Sequence, residues 1–155
     1  MNIAQAQFKD IDHVLEITQN TIQEIYPHYY PLGAVDFFRN HHCRKNIEED
    51  IRRNCVWIVY DSTAVGTVSV KENEISRLFV LPAHQGKGYG CKLMNFAETI
   101  VFQNYRKIVL NASFPAQKLY HKRGYRVEDF CTILCGNGDY LCYNYMTLQK
   151  NDCCD

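Results

Sequence analysis

The chain has 155 residues, enough for one ordinary domain with a sizeable core and too few for two comfortable ones. Its 17 acidic and 17 basic residues balance without a block of like charge, which argues against nucleic acid or an anionic membrane as partner and leaves small or neutral molecules. No apolar run nears the roughly 20 residues that cross a bilayer and no signal-peptide pattern opens the chain, so the expected location is cytoplasmic.

Residues Asn2 to Gln7 alternate weakly as a strand. Ile11 to Ile25 then places Ile11, Val14, Leu15, Ile17, Thr18, Thr21, Ile22 and Ile25 at helical spacing. The Tyr26-Pro27-His28-Tyr29-Tyr30-Pro31 segment breaks that helix, because proline removes an amide donor and disfavours a helical residue before it. A second helical region is predicted from about Leu32 to Arg53. From Val56 the pattern changes to short β-rich runs, Val56 to Tyr60, Thr63 to Val70 and Ile75 to Val80, read as an antiparallel meander with Asp61-Ser62 as its first turn. Next comes a helix with Leu93, Met94, Ala97, Ile100 and Val101 on one face. A strand over Lys107 to Ala112 and a short helix over Pro115 to Lys122, stopped by Gly124, follow it. Arg126 to Leu134 and Tyr140 to Leu148 close the chain as a hairpin around Gly136-Asn137-Gly138-Asp139. The sum is α/β (α+β): one domain over 1–150, with a mixed, mostly antiparallel sheet of about seven strands flanked by about four helices on its two faces. Residues 151–155 are expected to be a flexible tail.

Between the apolar run ending Leu78-Phe79-Val80-Leu81-Pro82 and the helix predicted from Cys91 lies Gln85-Gly86-Lys87-Gly88-Tyr89-Gly90. A glycine-rich turn at a helix start presents unpaired backbone N–H groups at the positive end of the helix dipole, so a phosphate or diphosphate binds there without a dedicated cation. Spacing excludes two better-known phosphate loops. Lys87 is followed by Gly88 rather than the Ser or Thr of a P-loop, and a Rossmann count from Gly86 or Gly88 puts its third glycine on Cys91 or Leu93. What remains is Gln-x-x-Gly-x-Gly, with Gln85, Gly88 and Gly90 in the defining places. The plainer alternative is a turn whose glycines only relieve backbone strain.

That pattern, with a strand and a proline before it, resembles the acyl-coenzyme A diphosphate loop of the GNAT superfamily of N-acetyltransferases. Downstream of a strand over 108–113, Ala116-Gln117-Lys118-Leu119-Tyr120 and Gly124-Tyr125 resemble the family's "A-x-x-LY-x-x-x-GY" helix and exit. The resemblance runs from about Cys55 to Leu148. It implies acetyl-coenzyme A as cosubstrate, held by main-chain groups of Leu78, Phe79 and Val80 on a splayed, bulged fourth strand and by Gln85, Gly86, Lys87, Gly88, Tyr89 and Gly90. It also implies that Asn111 touches the pantetheine arm and that Tyr120 lies near the sulfur. Asn111 as a strand-ending structural residue and Lys87 as a solvated lysine stay open beside these roles. The family's habit of pairing subunits makes a homodimer the expectation.

Acetyl transfer to an amine needs an oriented thioester, a neutral nucleophile and a proton for the departing thiolate. A thiol has a pKa of about 8.5 and an alkylammonium about 10.4, so only about one amine in a few thousand is nucleophilic at pH 7. Deprotonation of the acceptor is therefore the larger demand. Glu74 is the candidate general base: it begins the strand feeding the glycine turn, and it stands as the catalytic glutamate of histone-type family members does relative to Gln85. Its alternative is a solvent-facing residue of the Lys71-Glu72-Asn73-Glu74 turn. Tyr120 is the candidate general acid by the family's placement, against the alternative of an aromatic ring packed under the sheet.

The acceptor side is assigned to Tyr26, His28, Tyr29 and Tyr30, where aromatic faces suit a cationic amine; a proline-bounded loop pinned on the core is the competing reading. His28 is an alternative base. Cys91 follows the turn but has no histidine partner in sequence, so no acyl-enzyme is expected. The even count of 8 cysteines permits disulfides, yet without a secretion signal most are expected to be reduced, with Cys55 and Cys91 as small core residues. Cys131, Cys135, Cys142, Cys153 and Cys154 form no Cys-x-x-Cys pair and have no neighbouring histidine, so no metal is expected. The function expected is direct transfer of acetyl from acetyl-coenzyme A to a primary amine of a small molecule or peptide in a ternary complex. The rival is a non-catalytic acyl-coenzyme A sensor or scaffold of the same fold.

Overall fold

The computed structural model of the chain describes residues 2–150; the expected tail over 151–155, with Cys153 and Cys154, lies outside them. A seven-stranded sheet runs in the order β1-β2-β3-β4-β5-β7-β6. Its strands are β1 (Asn2–Gln5), β2 (Val56–Asp61), β3 (Thr63–Lys71), β4 (Glu74–Val80), β5 (Lys107–Ala112), β6 (Arg126–Leu134) and β7 (Tyr140–Gln149). Every neighbouring pair is antiparallel except β4 and β5, so the sheet is mixed as expected.

Helix α1 (Ile11–Ile25) buries Val14, Ile17, Thr18, Thr21 and Ile22, the three- and four-residue spacing that puts side chains on one helix face. The predicted second helical region divides into α2 (Leu32–His41) and α3 (Arg44–Arg52). No proline or glycine marks the break. It falls where Cys43 turns to extended backbone (φ −73°, ψ 165°) and where the His42 ring is buried against Arg77 and Phe79. Tertiary contact has overridden a weak local preference there. Helices α1 to α3 cover one face of the sheet through Ile17, Ile22, Ala34 and Val35, and through Val14, Ile47 and Ile51. On the other face α4 (Tyr89–Asn104) packs Leu93, Met94, Ala97 and Val101, joined by Tyr120 of α5 (Gln117–Lys122).

Two irregularities of β4 shape the centre of the molecule. The first is a bulge: Ser76 pairs with Ser69 and Phe79 with Thr67, so Arg77 and Leu78 together oppose Val68. Arg77 occupies the left-handed region at φ 46°, which costs an ordinary residue about 1–2 kcal/mol. One inserted residue reverses the facing of the rest of a strand. Ile75 accordingly packs with α4, Phe79 turns to α1 and α2, and Leu78 and Val80 take the α4 side. The second is a splay. β4 meets β5 at Glu74 opposite Val109 and stays paired to β3 as far as Val80, while β5 follows β7 from Lys107 to Ala112. The two strands therefore part toward the C-terminal end of β4.

The far end of the hairpin is tied to α2. The Asp139 carboxylate accepts from the Gly33 N–H at 2.8 Å, satisfying one of the amides a helix start leaves unpaired. A Cβ on Gly33 would stand 2.2 Å from the Gly136 carbonyl oxygen, so only glycine permits this contact. Among the described residues no helix is long and apolar enough to cross a membrane.

Candidate active site

A cleft of about 890 Å³ opens where β4 leaves β5, between the α4 start and the end of α1. Of the residues assigned to the coenzyme from sequence, Leu78, Phe79, Val80, Gln85, Gly86, Gly88, Tyr89 and Gly90 line it. Gly88 is the N-cap of α4 at φ 87°, and Gly86 precedes it at φ 75°, conformations that side-chain-bearing residues rarely adopt. Nothing lies within 4 Å of a Cβ built on either. The turn is thus an open cradle, with the free amides of the first turn of α4 facing it, and this fits a diphosphate. Gln85 closes the turn by donating from Nε2 to the Val80 carbonyl at 2.9 Å, and the Thr21 hydroxyl of α1, which donates to the Ile17 carbonyl at 2.7 Å, lies 3.2 Å from the same oxygen. The Tyr89 hydroxyl donates to Asp61 and pins the helix start to the end of β2, so Tyr89 offers the cleft its main chain. Lys87 is exposed in the same turn.

Cys91 was expected in the core and is instead exposed on the wall of this cleft, because the first turn of α4 presents its open end there; Cys55 is half-buried rather than buried. Among the described residues no group of three His, Cys, Asp or Glu side chains is placed to hold a metal ion.

A second pocket of about 330 Å³ lies on the α2 side of the splay. Glu74, Asn111 and Tyr120 line it together. Tyr26, Leu78, Phe79 and Ala116 line both cavities, so the two adjoin where the strands part. Burial, and then the neighbouring phenol of Tyr26, push the Tyr120 hydroxyl well above the usual tyrosine range, so it keeps its proton at any physiological pH.

The four residues assigned to the acceptor do not share one cavity. Tyr26 touches both, its hydroxyl 3.0 Å from that of Ser113. His28 and Tyr29 stand on the coenzyme side. The Tyr30 hydroxyl donates to the Cys142 carbonyl at 3.0 Å and accepts from the Phe114 N–H at 2.8 Å, while its ring stacks on Phe114. Tyr30 joins the α1–α2 connection to β7, and burial pushes its phenol up to about 12.

Several residues that sequence reasoning did not single out complete the smaller pocket: Phe37, Phe38 and His41 from α2, His42, Arg77, and Ile133, Leu141 and Tyr143 from the hairpin. Phe37 and Phe38 carried the only local signal, two adjacent aromatics within a predicted helical region. At the pocket floor Arg77 is buried and held from several elements. It pairs with Asp50 of α3 at 2.8 Å, donates from Nε to His42 Nδ1 at 3.3 Å and reaches Ser69 of β3 at 3.5 Å. Accepting at Nδ1 assigns the ring proton of His42 to Nε2.

Burial first, then the Arg77 charge and His41, hold the His42 imidazole well below the usual histidine range. The unfolded chain binds this proton below about pH 6.5 while the native state resists it, so stability is full above that pH and is lost as pH falls. Between pH 7 and pH 5 the protein is expected to lose about 1–2 kcal/mol more stability than its His42→Gln variant. Urea denaturation of both at several pH values measures this, and parallel curves would exclude the effect.

The splayed strands and the amide cradle beside them are features of an acetyltransferase domain, and the profile of the acetyltransferase (GNAT) domain matches residues 52–127. The chain has the GNAT acetyltransferase fold, with that domain matched over just under half of its length. Solved structures share its fold at low identity. A GCN5-related N-acetyltransferase from Rhodopseudomonas palustris superposes with a TM-score of 0.87 at 20% identity, over 96% of this chain and 94% of that one. The PaiA N-acetyltransferase from Thermoplasma acidophilum, in complex with coenzyme A, gives 0.73 at 19% identity, over 96% and 98%. The yncA protein from Salmonella typhimurium, with its cofactor acetyl-CoA, gives 0.71 at 17% identity, over 100% and 96%. No curated protein matches the chain.

Proposed function

We propose that the protein transfers acetyl from acetyl-coenzyme A to a primary amine by direct attack in a ternary complex. The observation that carries this reading is the meeting of the two cavities at Tyr26, Leu78, Phe79 and Ala116, where β4 parts from β5. A donor seated with its diphosphate at Gly86 to Gly90 would have its other end directed at that junction, and an amine would reach it from the Glu74 side. Bound there, acetyl-coenzyme A supplies the activated acyl group. Glu74 takes one proton from the acceptor ammonium, and the backbone of Leu78 and Val80 is assigned to orienting the thioester. Tyr120, kept protonated by burial, serves the departing sulfur as hydrogen-bond or proton donor. The balance is an ammonium and a thioester converted to an amide, a thiol and one released proton.

Tyr120→Phe is expected to lower turnover by about 10- to 100-fold, at or below the foot of the general-acid range, because a thiolate asks for little help near pH 8. Acetyl-coenzyme A affinity, read by calorimetry, should be largely retained. An unchanged rate would remove Tyr120 from the chemistry. Tight acetyl-coenzyme A binding with no thiol release beyond hydrolysis for any amine would favour a sensor of the same fold.

A further inference from the structure

Resting on that reading, we propose that the acceptor is a small primary monoamine with an aromatic or branched apolar body and no carboxylate. The pocket on the Glu74 side holds about 330 Å³, near the small end of the roughly 300–1,000 Å³ of ligand sites. Its walls are Phe37 and Phe38 from α2 and Ile133, Leu141 and Tyr143 from the hairpin, surfaces that reward an apolar body.

The formal charges on the lining are one carboxylate and one guanidinium, beside the His41 and His42 imidazoles, and they favour a single cation. Glu74 is the carboxylate on the lining, and it has no ion pair or hydrogen bond through its side chain among the described residues. Arg77 is the guanidinium on the lining, and it is spoken for: its side chain is 5% exposed, with Asp50 at 2.8 Å, His42 at 3.3 Å and Ser69 at 3.5 Å. An acceptor carrying its own carboxylate would bring that charge beside Glu74, with Arg77 already paired and only the His41 imidazole on the lining to meet it. A polyamine would bring a second ammonium into the apolar walls with no second carboxylate to meet it. A peptide amine would have to bring its flanking polar backbone past the same aromatic rings.

An ammonium fits differently. Phe37, Phe38 and Tyr143 put aromatic rings on the lining, a surface that suits an ammonium before proton loss, and Glu74 receives the proton. The nitrogen then bonds to the acetyl carbon as the carbon–sulfur bond breaks, and its second proton leaves toward the sulfur.

Thiol release with saturating acetyl-coenzyme A, its binding first established by calorimetry, tests the proposal on the intact chain. The probes are 2-phenylethylamine, 3-methylbutylamine, phenylalanine, spermidine and an alanyl peptide. The better of the two monoamines is expected to exceed phenylalanine, spermidine and the peptide in kcat/KM by about 100-fold or more. Any smaller preference overturns the assigned class while leaving the transferase standing. Binding of acetyl-coenzyme A with no amine acetylated overturns the transferase reading itself, and the acceptor class with it.

Discussion

Replacing Glu74 by Gln is expected to lower turnover at pH 7 by about 10²- to 10⁴-fold and to return part of it at alkaline pH. Glu74 opens β4 and sits at the closed end of the splay, opposite Val109, and it lines the smaller pocket that Tyr120 also lines. The acceptor arrives as an ammonium, and the amide side chain of glutamine accepts no proton from it at neutral pH. By about pH 9.5 roughly one amine in ten is already neutral, against about one in a few thousand at pH 7, so the need for a base shrinks by two orders of magnitude. The pH–rate profiles of the two proteins should therefore converge as pH rises. An equal loss at every pH would assign Glu74 to binding and leave the base to another group.

Arg77→Met is expected to cost about 3 kcal/mol of stability and about 100-fold in kcat/KM for acetyl-coenzyme A. Removing one partner of a buried ion pair costs about 3–5 kcal/mol; the low end applies because the Asp50 side chain keeps 25% of its exposure and is partly screened. The kinetic cost has a separate origin. Arg77 is the left-handed residue of the bulge, and its contacts with Asp50, His42 and Ser69 offset the backbone strain there. The bulge is also what turns Leu78 and Val80 to the cleft side, so a relaxed strand would misplace the groups assigned to the thioester. Denaturant unfolding and steady-state kinetics measure the two parts independently. A variant within about 1 kcal/mol of the parent and with the same acetyl-coenzyme A kinetics would show that the bulge stands without its anchor.

The glycine turn was legible because its requirement is local. Gly86 and Gly88 have left-handed backbone angles, and a run of residues with that freedom next to a helix pattern announces itself in a string of letters. The strands were legible for the same kind of reason, since alternation and β-branching act within a few residues. Helix α1 followed from Val14, Ile17, Thr18, Thr21 and Ile22 on one face. The break at His42–Cys43 was not legible, because its cause is Arg77, more than thirty positions downstream. Nor was the change of facing along β4: Ile75, Arg77 and Phe79 look like one side of an alternating strand, and only the bulge separates Ile75 from Phe79.

The acceptor side shows the same division. Tyr26, His28, Tyr29 and Tyr30 were grouped because they are contiguous, yet their side chains disperse to two cavities and to a structural tie at Cys142 and Phe114. The pocket wall comes instead from Phe37 and Phe38 and from Ile133, Leu141 and Tyr143, about a hundred positions apart, joined when Asp139 docks on the start of α2.

By itself the amino-acid order determined the succession of strands and helices and the helix-capping phosphate seat, since these depend on dihedral preferences and on periodicities of two and 3.6 residues. Tertiary packing decided the splay of β4 from β5, the strained bulge at Arg77 and the composition and charge of the smaller pocket. Those features arise from contacts between elements remote in the chain, which no local preference encodes.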